Sequence, residues 1–303
     1  MQPASLKRLI TTVFSVDVAA RRHPLMPPLL ICTDLDRTLL PNGEATESVG
    51  ARPAFAQLVS RPQTLLAYVS GRHLALVEEA IHDYGLPEPD WIIADVGSSI
   101  YARQNRGWSP LEAWSRHISA DWQGDGWSDL AMVLSDVSGL TLQPESRQNS
   151  HKLSFFVPRE ADLPALNREI LARLQERDVA VCLVHSVDEA AAIGLLDILP
   201  RRAGKLQAIE FLMREQGLSC QQTIFAGDSG NDLSVLTSSV PAVLVANAHP
   251  DVKAQAVAES MRMGTQDRLY LARGGFLGMN GNYSSGILEG IGHFHADAVR
   301  ELE

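Results

Sequence analysis

Short apolar runs that break off in polar clusters recur along this chain. Leu29-Leu30-Ile31-Cys32 passes through Thr33 into Asp34-Leu35-Asp36-Arg37-Thr38, and Leu65-Leu66-Ala67-Tyr68-Val69 stops at Ser70-Gly71-Arg72 before a helical pattern from His73 to Tyr84. Leu195 to Pro200 is followed by Lys205, which opens an amphipathic helix from Leu206 to Gln216. Thr223-Ile224-Phe225-Ala226 runs into Gly227-Asp228-Ser229-Gly230-Asn231-Asp232. Runs of this length suit strands buried on both faces of a parallel sheet, and open α/β sheets place ligands at the carboxyl ends of their strands. The pattern predicts an α/β fold in which four strand ends carry Asp/Asp, Ser, Lys and Asp/Asp.

Asp34 and Asp36 are one residue apart, so extended backbone would turn them to opposite sides, where they could do different jobs around one substrate. An Asx-rich turn closing a strand would use the same residues, and it is the ordered set of four clusters that favours chemistry. Residues 91–101 read as a further core strand and hairpin. From about 105 the texture changes: Trp108, Trp114, Trp122 and Trp127 fall among polar and Gly residues. A strand at Leu153–Val157, a helix at Leu163–Gln175 and a strand at Val179–Val184 then predict an α+β unit with an open sheet. Within it, Arg147-Gln148-Asn149-Ser150-His151-Lys152 gathers amide and ammonium groups suited to binding hydroxyls, although a solvated loop has the same composition.

The four motifs Asp34-Leu35-Asp36-Arg37-Thr38, Ser70-Gly71-Arg72, Lys205 and Gly227-Asp228-Ser229-Gly230-Asn231-Asp232, in this order, resemble those of the haloacid dehalogenase superfamily of phosphohydrolases. The resemblance implies a Rossmann-like parallel-sheet core (27–104 and 194–303), an inserted α+β cap of subclass IIB (105–193) and an N-terminal extension (1–26). It also implies roles. Asp34 is the nucleophile that becomes an aspartyl phosphate, and Asp36 is the acid that protonates the leaving group and later activates water. Ser70, with Gly71 and Arg72, holds the phosphate, and Lys205 neutralises developing charge. A dianionic phosphomonoester approaches a carboxylate only if a cation screens the repulsion. Oxygen ligands without a His or Cys cluster favour Mg²⁺; the implied ligands are Asp34, the backbone carbonyl of Asp36, Asp228 and the nearby Asp232. Pump-type members carry Thr where this chain has Asp36, so turnover is expected here, with phosphomutases the nearest enzymatic alternative.

Gln148-Asn149 with Lys152 is similar to the glucosyl-binding segment of sucrose-phosphate phosphatases. Gly97-Ser98-Ser99-Ile100-Tyr101, Asp197-Ile198-Leu199-Pro200 and Gly286-Ile287-Leu288-Glu289 also look like that family. The implied reaction is hydrolysis of sucrose 6-phosphate, with mannosylfructose phosphate or a hexose phosphate as alternative substrates. Arg37 departs from the small or amide residue expected after Asp36, and Ser70 stands where many members carry Thr. A non-catalytic sugar-phosphate sensor is the reading from a different class. It is opposed by the presence of Asp34, Asp36, Lys205, Asp228 and Asp232 together, since acids gathered at strand ends are unfavourable unless a metal and a phosphate use them.

At 303 residues and 45 % apolar, the chain can bury a large core and a smaller one. Its net charge of −10 argues against general affinity for nucleic acid or anionic membrane. No apolar run approaches the roughly 18 residues of a membrane span. Cys32, Cys182 and Cys220 form no Cys-x-x-Cys, which favours free thiols in a reducing cytoplasm. Association with the sugar-phosphate synthase that supplies the substrate is compatible with this chemistry, although no partner helix is legible.

Overall fold

In chain order the strands are β1 (Leu29–Thr33), β2 (Thr64–Val69), β3 (Trp91–Ala94), β4 (Ser99–Gln104), β5 (Gly107–Pro110), β6 (Thr141–Leu142), β7 (Leu153–Val157), β8 (Val181–Asp188), β9 (Ile193–Pro200), β10 (Thr223–Gly227), β11 (Ala242–Leu244) and β12 (Leu269–Leu271). The helices are α1 (Ala51–Val59), α2 (Leu74–Tyr84), α3 (Glu112–Ser119), α4 (Trp127–Val133), α5 (Leu163–Gln175), α6 (Lys205–Gln216), α7 (Leu233–Leu236), α8 (Pro250–Met263), α9 (Ser284–Phe294) and α10 (Ala296–Val299). This is a computed structural model describing residues 28–302 apart from 106, 189 and 190; the expected extension 1–26 lies outside the described residues.

The larger sheet has the order β12-β11-β10-β1-β2-β3-β4-β5, parallel from β12 to β3 and antiparallel thereafter. Alternation along its strands sorts side chains to two faces. Leu30, Cys32, Leu65, Ala67 and Phe225 join one core with Ala208, Ile209 and Leu212 of α6 and Val235 of α7. Ile31, Leu66, Tyr68, Ile224 and Ala226 join the other with Phe55 of α1, Val77 of α2 and Ile287 of α9. Helices cover both faces, so the core is Rossmann-like, as expected. Its central strands carry apolar residues to both sides because neither side meets water.

The smaller sheet, β6-β7-β9-β8, is antiparallel throughout. Its core brings Trp122 and Leu130 onto Leu153, Phe155, Leu166, Ile170 and Leu196. Two sequence expectations change here. The Leu195–Pro200 run is not a core strand: β9 pairs with β7 and β8, so Lys205 follows a return loop from the cap. β5 belongs to the larger sheet, and Trp114 and Ile118 of α3 pack in the first core, so the chain leaves the core after α3 and not near 105. An antiparallel strand whose residues are covered on both sides reads like a parallel core strand, which is why the apolar run misled. Of the cap-region tryptophans, Trp114 and Trp122 are fully buried as packing groups, and the Trp114 indole N–H donates to the Gly97 carbonyl at 3.2 Å.

One turn ties these layers together. After β3, Asp95, Val96 and Gly97 take φ values of 53°, 60° and 97°. Left-handed backbone at a β-branched residue costs on the order of 1–3 kcal/mol and persists only where surroundings enforce it. Here Asp95 N–H donates to the Arg72 carbonyl (2.9 Å) and Val96 N–H to the Ser70 carbonyl (3.1 Å). Gly97 then lies directly on Gly204: a Cβ at Gly97 would fall 2.2 Å from the Gly204 carbonyl carbon and 2.6 Å from Lys205 N. Gly97→Ala is therefore expected to cost about 2–4 kcal/mol through overpacking and left-handed strain. Chemical denaturation measures this, and an unchanged midpoint would contradict the close approach.

Candidate active site

The carboxyl ends of β1, β2 and β10 adjoin, because β1 pairs with β10 on one side and β2 on the other. Asp34 follows β1, Ser70 follows β2 and Asp228 follows β10. The N-terminus of α6 brings in Lys205, whose side chain is fully buried. Its ammonium reaches Asp34 Oδ2 (3.2 Å), Asp232 Oδ1 (2.7 Å) and Asn231 Oδ1 (2.9 Å), one partner for each proton.

Each carboxylate is held differently. Asp34 Oδ1 accepts from Leu35 N–H (2.8 Å). Asp232 Oδ2 accepts from the N–H groups of Asp228 and Ser229 (both 3.1 Å) and from Ser229 Oγ–H (3.2 Å), so both its oxygens are engaged within the protein. Gly227 makes room for it, since a Cβ there would lie 2.6 Å from the Asp232 carboxyl. Asp228 Oδ1 accepts from the Thr38 hydroxyl (3.3 Å). Asp228 Oδ2 is buried with no hydrogen-bond donor and has only the Arg37 guanidinium 3.3 Å away.

Asp34, Asp228 and Asp232 each bring a carboxylate oxygen within 4.8 Å of the others. Burial pushes the Asp34 pKa well up, and repulsion from Asp232, Asp228 and Asp36 adds to this against the attraction of Lys205. Burial, then Asp232, raises Asp228 from 3.8 to about 7. Burial works against the charged form of Lys205, but Asp232 and Asp34 outweigh it and hold the ammonium protonated. Crowded hard oxygens, one of them orphaned, fit a divalent cation, and the donor set fits Mg²⁺.

Asp36 stands apart from this cluster. Its carboxylate accepts from Arg72 Nε (Oδ2, 2.7 Å), Arg72 Nη2 (Oδ1, 2.6 Å) and Asn42 Nδ2 (Oδ1, 2.7 Å). Burial raises its pKa, but the Arg72 and Asn42 contacts prevail and hold it below the ordinary value. Its side chain therefore does not join the acidic triad, and any share of Asp36 in a cation site falls to its backbone carbonyl. Arg72, expected at the phosphate, is bound to Asp36. Ser70 is buried, with Oγ accepting from Arg72 N–H (3.2 Å). A Cβ at Gly71 would meet Val96 and the Asn231 amide no closer than 3.8 Å, so this position is not crowded.

The three expected cap residues separate. Gln148 spends its amide on backbone, donating to the Gln143 and Ser154 carbonyls (2.9 and 3.0 Å) and accepting from Ser154 N–H (2.7 Å). These bonds clamp the start of β7. Asn149 and Lys152 do cross to the core: Asn149 Nδ2 donates to Ser98 Oγ (3.1 Å), and Lys152 Nζ pairs with Asp95 Oδ1 (3.0 Å) in a buried ion pair. They thus meet the strained turn that lies against Ser70, Arg72 and Lys205. Sequence reasoning missed Thr38, Asn42, Asn231 and Asp95 as partners of the site. Thr38 and Asn231 lie within the quoted motifs, whereas Asn42 reads only as part of a Pro-Asn-Gly turn.

A phosphohydrolase of the haloacid dehalogenase class is what this fold and cluster define. The model of the sucrose-6F-phosphate phosphohydrolase family matches residues 27–295, and the chain belongs to that family. It is 50% identical to a protein of Nitrosococcus oceani named only as a HAD-like hydrolase, over 91% of this chain and 74% of that one. It is 31% identical to the mannosylfructose-phosphate phosphatase of Agrobacterium fabrum, over 89% of this chain and 98% of the relative. The crystal structure of the sucrose-phosphatase of Synechocystis, in complex with sucrose and phosphate, is similar with a TM-score of 0.69 and 27% identity, covering 89% of this chain and 98% of that one. The protein is thus a phosphoric monoester hydrolase. Among the described residues, no helix is long and apolar enough to cross a membrane.

A carboxylate with a raised folded pKa disfavours the folded state as it ionises. Asp228 thus costs the metal-free protein stability as pH rises from 3.8 through about 7. A divalent cation bound at these oxygens would compete with protons for them, so the stabilisation by added Mg²⁺, about 2.7 kcal/mol at 100 times Kd, should give a larger Tm rise at pH 8 than at pH 5. Equal shifts in thermal denaturation would contradict this.

Proposed function

We propose that the protein is a Mg²⁺-dependent sugar-phosphate phosphatase acting on sucrose 6-phosphate through an aspartyl-phosphate intermediate. The observation that carries this reading is the buried Lys205 ammonium 3.2 Å from Asp34 Oδ2, beside the Asp228 oxygen that accepts no hydrogen bond and faces only the Arg37 guanidinium at 3.3 Å. Asp34, Asp228 and the Asp36 carbonyl would hold the cation, which when bound screens the phosphate charge from the nucleophile. Asp232 orients Lys205 and Asp228. Lys205 neutralises charge on the phosphoryl oxygens, and Ser70 Oγ–H donates to one of them.

Asp36 first takes a proton from solvent; Asp34 Oδ then attacks phosphorus as the ester P–O bond breaks, and Asp36 gives that proton to the departing sugar oxygen. A water then loses a proton to Asp36 as its oxygen bonds to phosphorus and the bond to Asp34 breaks. Asn149 and Lys152 are our candidates for contacting the sugar, since both cross from the cap to the core turn beside Ser70. The family description and the sucrose-bound Synechocystis structure support sucrose 6-phosphate. The Agrobacterium relative supports mannosylfructose phosphate as the second reading. A cytoplasmic setting agrees with the free cysteines; docking on a synthase remains a proposal.

A panel of phosphorylated sugars assayed for phosphate release decides between these substrates. With Mg²⁺, kcat/KM for sucrose 6-phosphate should exceed that for mannosylfructose phosphate and hexose monophosphates by about tenfold or more. The reverse order would replace the substrate. Asp34→Asn should lower turnover by more than about a thousandfold while the protein stays folded; substantial residual turnover would remove Asp34 as nucleophile.

A further inference from the structure

Asp36 must present one oxygen to the leaving group, yet its side chain is 42 % exposed. What fixes it is polar. Arg72 gives one hydrogen bond to each oxygen, a symmetric fork that leaves the two oxygens equivalent. Asn42 breaks the symmetry by adding a second donor to Oδ1 at 2.7 Å. A carboxylate oxygen accepts about two hydrogen bonds, so Oδ1 is filled and Oδ2 keeps a free lone pair.

Asn42 is itself held. Its own Oδ1 accepts from Arg37 N–H at 2.8 Å, Arg37 is left-handed at φ 57°, and the Arg37 carbonyl accepts from Asn247 Nδ2 at 2.6 Å. The N–H groups of Thr38, Leu39 and Leu40 all converge on the Leu35 carbonyl. The chain from 35 to 42 therefore wraps around Asp36 and aims a single amide at one of its oxygens.

We propose that Asn42 is a positioning residue that occupies Asp36 Oδ1 and so makes Oδ2 the atom that transfers the proton. This rests on the phosphatase reading above. In the first half-reaction the Oδ2–H bond breaks and its proton goes to the ester oxygen as that oxygen leaves phosphorus and Asp34 bonds to it. In the second, Oδ2 takes a proton from the attacking water as the phosphorus–Asp34 bond breaks.

The discriminating variant is Asn42→Asp, which keeps the acceptor for Arg37 N–H and replaces the donor to Asp36 by a second carboxylate. With p-nitrophenyl phosphate and Mg²⁺, the leaving group needs no proton, so formation of the aspartyl phosphate is spared while its hydrolysis is not. Stopped-flow should show a burst of p-nitrophenolate at the wild-type rate within about threefold, then steady turnover slowed by about 10–100-fold with KM within about twofold. Asn42→Ala, monitored by Tm, should show the same split. Burst and steady rates falling together, or neither changing, overturns the proposal and leaves the phosphatase reading intact. A wild-type protein that releases phosphate neither from p-nitrophenyl phosphate nor from any phosphorylated sugar overturns both.

Discussion

The contact between the Lys205 ammonium and the carboxylates of Asp34 and Asp232 is the constraint on which the rest of this structure depends. Removing carboxylates from water is costly, and three of them with oxygens within 4.8 Å of one another repel as well. Lys205 offsets part of that cost at 3.2 and 2.7 Å, and in doing so it joins three separate pieces of chain: the end of β1, the loop after β10 and the start of α6. The offset is incomplete. Asp34 and Asp228 keep raised pKa values, and an oxygen of Asp228 stays without a donor. A folded site that retains unmatched negative charge is poised for a cation, and with it for an anion that the cation draws in.

The strained turn at Asp95–Gly97 extends this logic outward. Its N–H groups donate to the Arg72 and Ser70 carbonyls, Gly97 lets Gly204 approach closely just before Lys205, and the turn meets Lys152 and Asn149 from the cap. A buried ion pair between two domains is weak support for stability, because desolvation opposes it. Its significance is placement: the Lys152–Asp95 pair brings a cap residue to the turn whose N–H groups bond the Ser70 and Arg72 carbonyls.

The strand ends were legible because each couples a short apolar run to a polar break, and a strand buried on both faces has few other ways to be written. Leu153–Val157 and Leu163–Gln175 also match the observed β7 and α5, where periodicity is strong. What failed was sheet membership. The Leu195–Pro200 run is as apolar as β1, and only tertiary pairing assigns it to the cap; β5, with Trp108 flanked by Gly and Ser, carries no strand signal of its own. The polar partners were least visible. Lys152 meets Asp95 across 57 positions, and Asn42 reaches Asp36 through a turn whose direction depends on a left-handed Arg37. Composition marks such residues as loop, and only the folded path shows where their amides and charges end.

The most direct measurement is anomalous diffraction from crystals grown with Mn²⁺ in place of Mg²⁺ and with inorganic phosphate. The account predicts one metal peak bonded to carboxylate oxygens of Asp34 and Asp228, with phosphate between it and Lys205. Manganese bound elsewhere, or phosphate held away from the Lys205 ammonium, would contradict it.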